Sequence, residues 1–557
     1  MASSPKLSLI ASALYLDIVR AASRFWQTSF TVTMAHLTTL PNEILHNILQ
    51  WMSPRDLGSL PRVCRALHGF VKGNQKLCED IYLHNFDSPP NDERLDWETE
   101  LHDVVRLENI CLREDVEDKE DELSFVYEVV NRMLKHASPT GHAVETSDTQ
   151  HASRNADFLR TLFEDEANQV AFLQKSSLFE RVYRTQHHQL PPTVLNEEQR
   201  RQSAKLHCLY GRPILKTGRL RSARTYPYAC SKVYDIREYT HGSRWGPLMA
   251  DGSDNVDWEK VEAIQIVLGN NIYIKKLTRL FSDIWDNPFS GSWKGSFMSA
   301  PNLDKTSLDA MDPYGVTGTW YRIVCFLDYN DFFSYNFANP ERDGSPLHTL
   351  DVGEATRLII MRIHVTKIEQ PGPDSEYSSE LPIVHYEGIS RPLDDSWDDN
   401  ASSDLRGTVG LTREGEVRWT SVSIFQGQER WKSEGVQIGG PRSARGVIGN
   451  WFDRDYDPHG PCGPSAFWKA SDSETAHGKH AVLPRNFLLW SALLQMEDSD
   501  DPEGDMEYTM ENEEEDEEDD SESEPVANEL PELLMDAELE IIEITHQMEE
   551  PGPSSGN

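Results

Sequence analysis

Basic residues are missing from the last 61 positions: Glu497–Asn557 holds 26 Asp and Glu and not one Lys or Arg. That segment carries 26 of the 40 excess negative charges of the 557-residue chain, so the other 496 residues stand at only −14. The acidity therefore belongs to a tail rather than to the folded body. It argues against holding nucleic acid through net charge and against attraction to an anionic membrane. Cysteine is sparse: seven residues (64, 78, 111, 208, 230, 325 and 462), odd in number and with no CxxC pair. This excludes a disulfide framework and fits a reducing compartment, cytoplasm or nucleus. No run of eighteen apolar residues occurs, so no transmembrane helix is expected. Residues 7–19 (LSLIASALYLDIV) are modestly apolar but interrupted by Asp17 and followed by no small-residue cleavage site; residues 1–33 read as a disordered extension, with Met34 an alternative start. GxSxG, HExxH and GxxxxGK[ST] are all absent, and no Cys has a His neighbour arranged to activate it. No catalytic residue and no cofactor are expected.

What the chain does have is a dense set of helix signals between residues 37 and 86. Leu40-Pro41 opens a first helix, since proline is favoured where the backbone N–H would lack a partner anyway. Ile44, Leu45, Ile48, Leu49 and Met52 follow at helical spacing and read as one apolar stripe. Ser53-Pro54-Arg55-Asp56 is a second start, with a Ser cap, Pro in the first turn and an acid at the third helical position. Leu60-Pro61 is a third, followed by Val63, Cys64, Leu67 and Val71. Helices this short cannot bury all of this apolar surface among themselves, and the surplus suits a partner.

Leu40, Pro41, Glu43, Ile44, Leu45, Ile48, Leu49, Asp56, Leu57, Val63, Cys64 and Arg65 stand in the order and spacing of the F-box, and the stretch resembles that family. The Trp of the family's Val-Cys-Arg-x-Trp is replaced, with Leu67 near that place, and the closing Leu-Trp becomes Leu77-Cys78. The resemblance implies docking on the Skp-family adaptor of a cullin–RING ubiquitin ligase through Leu40, Pro41, Ile44, Leu45, Ile48, Leu49, Leu57 and Val63. YPYACSKVYD, VDWEKVEAIQIVLG, DPYGVTGTWYRIVCFLDYNDF and GVIGNWFDRDYDPHGPCGPSAFWK further resemble segments that recur together in fungal F-box proteins.

The rest of the chain divides by its spacing. Residues 87–154 read as polar sequence, one helix near Phe125–Leu134 and a flexible linker. Residues 155–286 read as helical, with Asn196 capping one helix and another running from Asp257 to a stop at Gly269. A basic run (Lys216, Arg219, Arg221, Arg224, Lys232) interleaved with tyrosines reads as a solvated face or a contact for acidic groups. From 287 to 495 the period becomes that of strands: Trp293–Met298, Gly318–Leu327, Arg357–Ile368, Ile383–Tyr386, Gly407–Leu411, Val417–Phe425, Val436–Ile438 and Val447–Phe452. Gly318–Leu327 is almost continuously apolar, as in a strand buried on both faces, and a short helix is expected at 484–495. The expected fold is thus α+β: a three-helix F-box (37–86) and helical region, an antiparallel β-barrel or sandwich, and a disordered acidic tail at 496–557. Within the tail, Leu530–Met548 is an amphipathic candidate that either folds on a basic partner, lies against the β domain or stays solvated.

Three further groups invite a functional reading. His187-His188, the pair His459 and Cys462, and the pair His477 and His480 lack the second pair a zinc site needs, so no metal is expected. Gly315-Val-Thr-Gly318 precedes a strand and reads as a turn, not a phosphate cradle. Arg442, Arg445, Trp451 and Asp453 are the candidate substrate-recognition residues, because paired Arg with an aromatic wall suits carboxylate or phosphate; the alternative is a set of loop salt bridges clamping the last strands. The sequence reads as a non-catalytic substrate receptor whose partners are the Skp adaptor, through it cullin and RING subunits, and an unknown protein. The other reading is a scaffold outside any ligase, whose acidic tail binds basic proteins.

Overall fold

The computed structural model describes residues 37, 40–89, 94–137, 153–187, 195–210, 222–274, 307–338, 347–350, 352–373, 375–392, 402–441 and 446–471, the side chains of 186–187, 222–224, 273–274, 307 and 470–471 excepted. The expectations for residues 1–33, strand 293–298, basic residues 216–221, helix 484–495 and the acidic tail lie outside these.

The chain opens with α1 (Asn42–Leu49), α2 (Pro54–Ser59), a 3₁₀ turn at Leu60–Arg62, α3 (Arg65–Val71) and α4 (Gln75–Asn85). The start signals act as read only in part: Pro41 takes the cap position before α1, and Leu60-Pro61 opens the 3₁₀ turn, with α3 beginning at Arg65, while the second signal forms its cap. The Ser53 hydroxyl oxygen accepts the Asp56 N–H at 3.1 Å and donates to the Asp56 carboxylate at 2.9 Å, closing a reciprocal cap. Ser53→Ala is expected to cost about 1 kcal/mol in a denaturation experiment; no change would mean that water replaces the cap. Leu45, Leu49, Leu57, Leu67, Leu77 and Ile81 meet in one core. That core does not end at residue 86. It continues into α5 (Trp97–Cys111) through Leu101, Val104 and Leu107. The polar reading of this stretch is corrected here: one buried stripe runs through an otherwise charged helix, capped by Asp96.

The helical region continues with α6 (Glu117–Glu120), α7 (Leu123–Lys135), α8 (Arg154–Phe163), α9 (Glu166–Phe172), α10 (Ser177–His187), α11 (Glu197–Tyr210), α12 (Ser222–Val233) and α13 (Trp258–Ile274). Asn196 caps α11 as expected, accepting the Gln199 N–H at 2.8 Å. Helix α13 runs through Gly269 rather than stopping there. Val261, Ile264, Val267, Leu268 and Ile272 are all fully buried, so packing on every side overrides the glycine's low helix propensity.

After α14 (Ser307–Met311) come β1 (Gly318–Phe326), α15 (Tyr329–Phe337), β2 (Ala355–Glu369), β3 (Ile383–Pro392), β4 (Ser403–Leu411), β5 (Val417–Phe425), β6 (Gln428–Gln437), β7 (Val447–Asp453) and β8 (Cys462–Ser471). Each strand pairs antiparallel with its neighbours, and β8 returns to β1, so the sheet closes. Barrel and sandwich are thereby resolved in favour of an eight-stranded up-and-down barrel. Closure removes both sheet edges. On the outer wall, Ile323 and Cys325 of β1, Ile448 and Phe452 of β7, and Ala466 and Trp468 of β8 join the helical core. β1 is thus buried on both faces, as its apolar run implies. On the inner wall Trp320, Trp419 and Phe467 meet edge to face, with centroids 5.2–5.6 Å apart, and fill one end. Arg418 clamps the wall to the helical side: it pairs with Glu434 at 2.8 Å and with Glu376 at 3.0 Å, and Glu376 also pairs with Arg244 at 2.6 Å.

Candidate functional site: an apolar docking face

Helix α1 carries two adjacent apolar faces, not one. Leu45 and Leu49 point inward and are 4% and 2% exposed; Ile44 and Ile48 lie about 100° around the helix and are 47% and 45% exposed. The single stripe inferred from spacing is corrected accordingly: the inner face builds the core, and the outer face has no cover within the described residues. Trp51, one turn beyond Ile48, extends the outer face and is 66% exposed, its ring edge-on to His84 at 4.3 Å. Val63 and Leu37 add further exposed apolar surface.

The eight residues expected to dock therefore divide. Pro41, Ile44, Ile48 and Val63 are exposed and Leu40 is half-buried, whereas Leu45, Leu49 and Leu57 are buried. Trp51 and Leu37 were not read as docking residues. The signal for Trp51 is present as the i, i+4, i+7 series Ile44, Ile48, Trp51. Beneath the face, Asp80 joins α4 to α1, meeting His46 at 2.7 Å and Lys76 at 2.9 Å. Burial alone would raise the Asp80 carboxyl, but hydrogen bonds from Lys76 and His46 outweigh it and hold it below its ordinary range.

Of the second candidate group, the described residues include only Trp451 and Asp453. Arg442 and Arg445 lie outside them. Trp451 is half-buried on the inner barrel wall, donating from its indole nitrogen to the Cys325 carbonyl at 3.0 Å and standing edge-on to Trp431 at 5.2 Å. Asp453 ends β7 and accepts the Asp455 N–H at 2.8 Å. Arg454 pairs with Glu429 at 2.7 Å, a local clamp of the kind weighed above. His459 lies 3.7 Å from Asp457, and Cys462 is buried, its thiol pushed up by burial to about 12. Among the described residues no three His, Cys, Asp or Glu side chains stand where they could share a metal ion. No described helix is long and apolar enough to cross a membrane.

Comparison with known families matches residues 37–84 to the F-box-like family. The chain thus carries an F-box-like domain, and the match falls on α1–α4 and the exposed face just described. No curated protein and no solved structure matches the chain.

Proposed function

We propose that this chain is the substrate-recognition subunit of a cullin–RING ubiquitin ligase. The observation that carries the reading is the exposed face of Ile44, Ile48 and Trp51 on an F-box-like domain whose inner face packs on α4 and α5 and leaves the outer one uncovered among the described residues. F-box domains typically bind the Skp adaptor, and an uncovered helical apolar face fits the helix-in-groove mode of such docking. Cullin and RING subunits then assemble through the adaptor. The barrel and helical region present a bound protein, and ubiquitin transfer gains from proximity rather than from any residue of this chain. The seven free cysteines suit a cytoplasmic or nuclear setting.

The test is affinity purification of the tagged full chain from cells with the proteasome blocked. Adaptor, cullin and RING subunit are expected together with accumulated, ubiquitinated substrate. Replacing Leu40 and Pro41 with Ala is expected to reduce adaptor recovery. Purification without any adaptor would overturn the reading.

A further inference from the structure

The acidity of this chain reverses in one place. Between Ser53 and Gly73 stand Arg55, Arg62, Arg65 and Lys72 against a single acid, Asp56, in a chain of net charge −40. All four cations are exposed, and among the described residues no carboxylate pairs with any of them. Asp56 holds the Ser53 hydroxyl, and Asp80 holds Lys76 and His46. Arg65, His68 and Lys72 lie at i, i+3 and i+7 along α3 and its cap, so they share one face, with about 10 Å along the axis between the outer two. Leu67 and Val71 turn the other way and are buried. The middle of the strip is small: Ala66 is exposed, and a Cβ added at Gly69 would meet nothing within 4 Å. In the turn before α3, Val63 is 70% exposed beside Arg62.

This strip adjoins the outer face of α1. A groove of about 630 Å³ separates the two, lined by Asn42, Glu43 and Asn47 of α1 and by Gly69, Phe70 and Lys72 at the end of α3. Asn47 is the neighbour of Ile48, so the groove opens beside the apolar face. Glu43 borders the groove without forming an ion pair with Lys72. Two cations one heptad apart, with small residues between them and no counter-charge, match a helix that carries carboxylates at the same spacing and approaches closely at its middle. Nucleic acid and anionic lipid are repelled at longer range by the net charge of −40, which four cations do not overcome. We propose that Arg65 and Lys72 of α3 form a second contact for the adaptor and take an acidic helix of that partner. This role rests on the adaptor-docking reading above, to which it adds the partner's charge. Exposed rim charges act chiefly on the rate of encounter and its salt dependence, whereas the apolar face of α1 sets how slowly the complex parts.

The experiment follows association and dissociation of the full chain and a purified Skp-family adaptor by biolayer interferometry. At about 0.05 M salt, Arg65→Glu with Lys72→Glu should slow association about tenfold or more and change dissociation less than about threefold. At about 1 M salt, where the Debye length is about 3 Å, altered and unaltered chains should associate at the same rate. Both residues are exposed, so the denaturation midpoint should hold. Arg65→Gln with Lys72→Gln should give a smaller loss in the same direction, and supplies the test should the reversal fail to fold. Ile48→Ala should show the opposite split, speeding dissociation at both salts. Association of the reversed chain within about twofold of the unaltered one at low salt would overturn the proposal and leave the docking reading standing. No adaptor binding by the unaltered chain would remove both. Binding of phosphatidylserine vesicles or polyuridylate that the reversal abolishes, with adaptor association unchanged, would assign the strip to another anion and overturn the proposal.

Discussion

Replacing Ile44 and Ile48 together with Asp is expected to weaken binding of a Skp-family adaptor at least about a hundredfold while leaving the fold intact. Both side chains are close to half exposed, so the chain loses little of its own packing and the change in stability should stay below about 1 kcal/mol. The loss falls on the partner side. Two apolar contacts at the centre of a docked helix contribute about 2 kcal/mol each or more, and a carboxylate placed there must be stripped of water without a partner. Less than 3 kcal/mol already corresponds to about a hundredfold. The inner face supplies the contrast. Leu45→Ala or Leu49→Ala removes a side chain that is 4% or 2% exposed and should cost about 2–5 kcal/mol of stability. Titration calorimetry with purified adaptor, run beside chemical denaturation, separates the two. The outer-face double variant should keep its denaturation midpoint and lose the adaptor; the inner-face variants should lose the midpoint first. Undiminished adaptor binding by a folded outer-face variant would remove α1 from the interface.

The same two faces show what was legible in the sequence. Spacing located α1 but could not rank its faces, because Ile44–Leu45 and Ile48–Leu49 are apolar on both sides of the helix. Strand β2 is readable because Ile359, Met361, Ile363 and Val365 face the barrel interior, the last three alternating with Arg362 and His364, while Ile360 packs on the outer, helical side. The polar half of β6 and all of β8 were not. β6 presents Trp431, Ser433 and Gly435 inward and charged residues outward, and small inner residues leave no hydrophobic alternation to detect. β8 carries Pro464 and mixes Gly, Ser and Lys with its aromatics, because it closes the barrel against β1 on one side and supports α13 on the other. The residues that give the barrel interior its chemistry are therefore the ones that periodicity hides. Arg322 sits within the most apolar run of the β region and is recognisable as unusual only once its neighbours are in place.

Asp87→Ala is expected to destabilise the protein by about 3–4 kcal/mol and to loosen the F-box-like domain from the helical body. Asp87 lies just beyond α4 and is fully buried. Its carboxylate accepts from Ser153 Oγ at 2.5 Å, from the Arg154 N–H at 3.0 Å and from the Asn155 N–H at 3.3 Å, so it receives the first N–H groups of α8. In return the Asp87 N–H donates to Asn155 Oδ1 at 3.0 Å, and Asn155 Nδ2 reaches the Met133 carbonyl of α7 at 2.9 Å. Arg154 Nη1 closes the set on the His84 carbonyl of α4 at 2.6 Å. Three helices are joined here through polar groups of which Asp87, Ser153 and Asn155 are fully buried and have no water to fall back on. Removing the carboxylate strands a hydroxyl and two helix N-terminal amides, each costing about 1–3 kcal/mol when buried and unpaired, and it takes an anion from the positive end of α8. Asp87→Asn keeps one acceptor oxygen and should lose about half as much. Hydrogen exchange at residues 154–156 should accelerate in Asp87→Ala, while the outer face of α1, built from other residues, should still hold the adaptor. The two substitutions thus divide the proposed receptor into its parts: Ile44 with Ile48 governs whether it docks, and Asp87 governs whether what it presents is held in a fixed position on that dock. Ubiquitination that falls in Asp87→Ala with adaptor capture unchanged is the expected result; unchanged exchange and unchanged denaturation midpoint would show that the hinge between the two parts lies elsewhere.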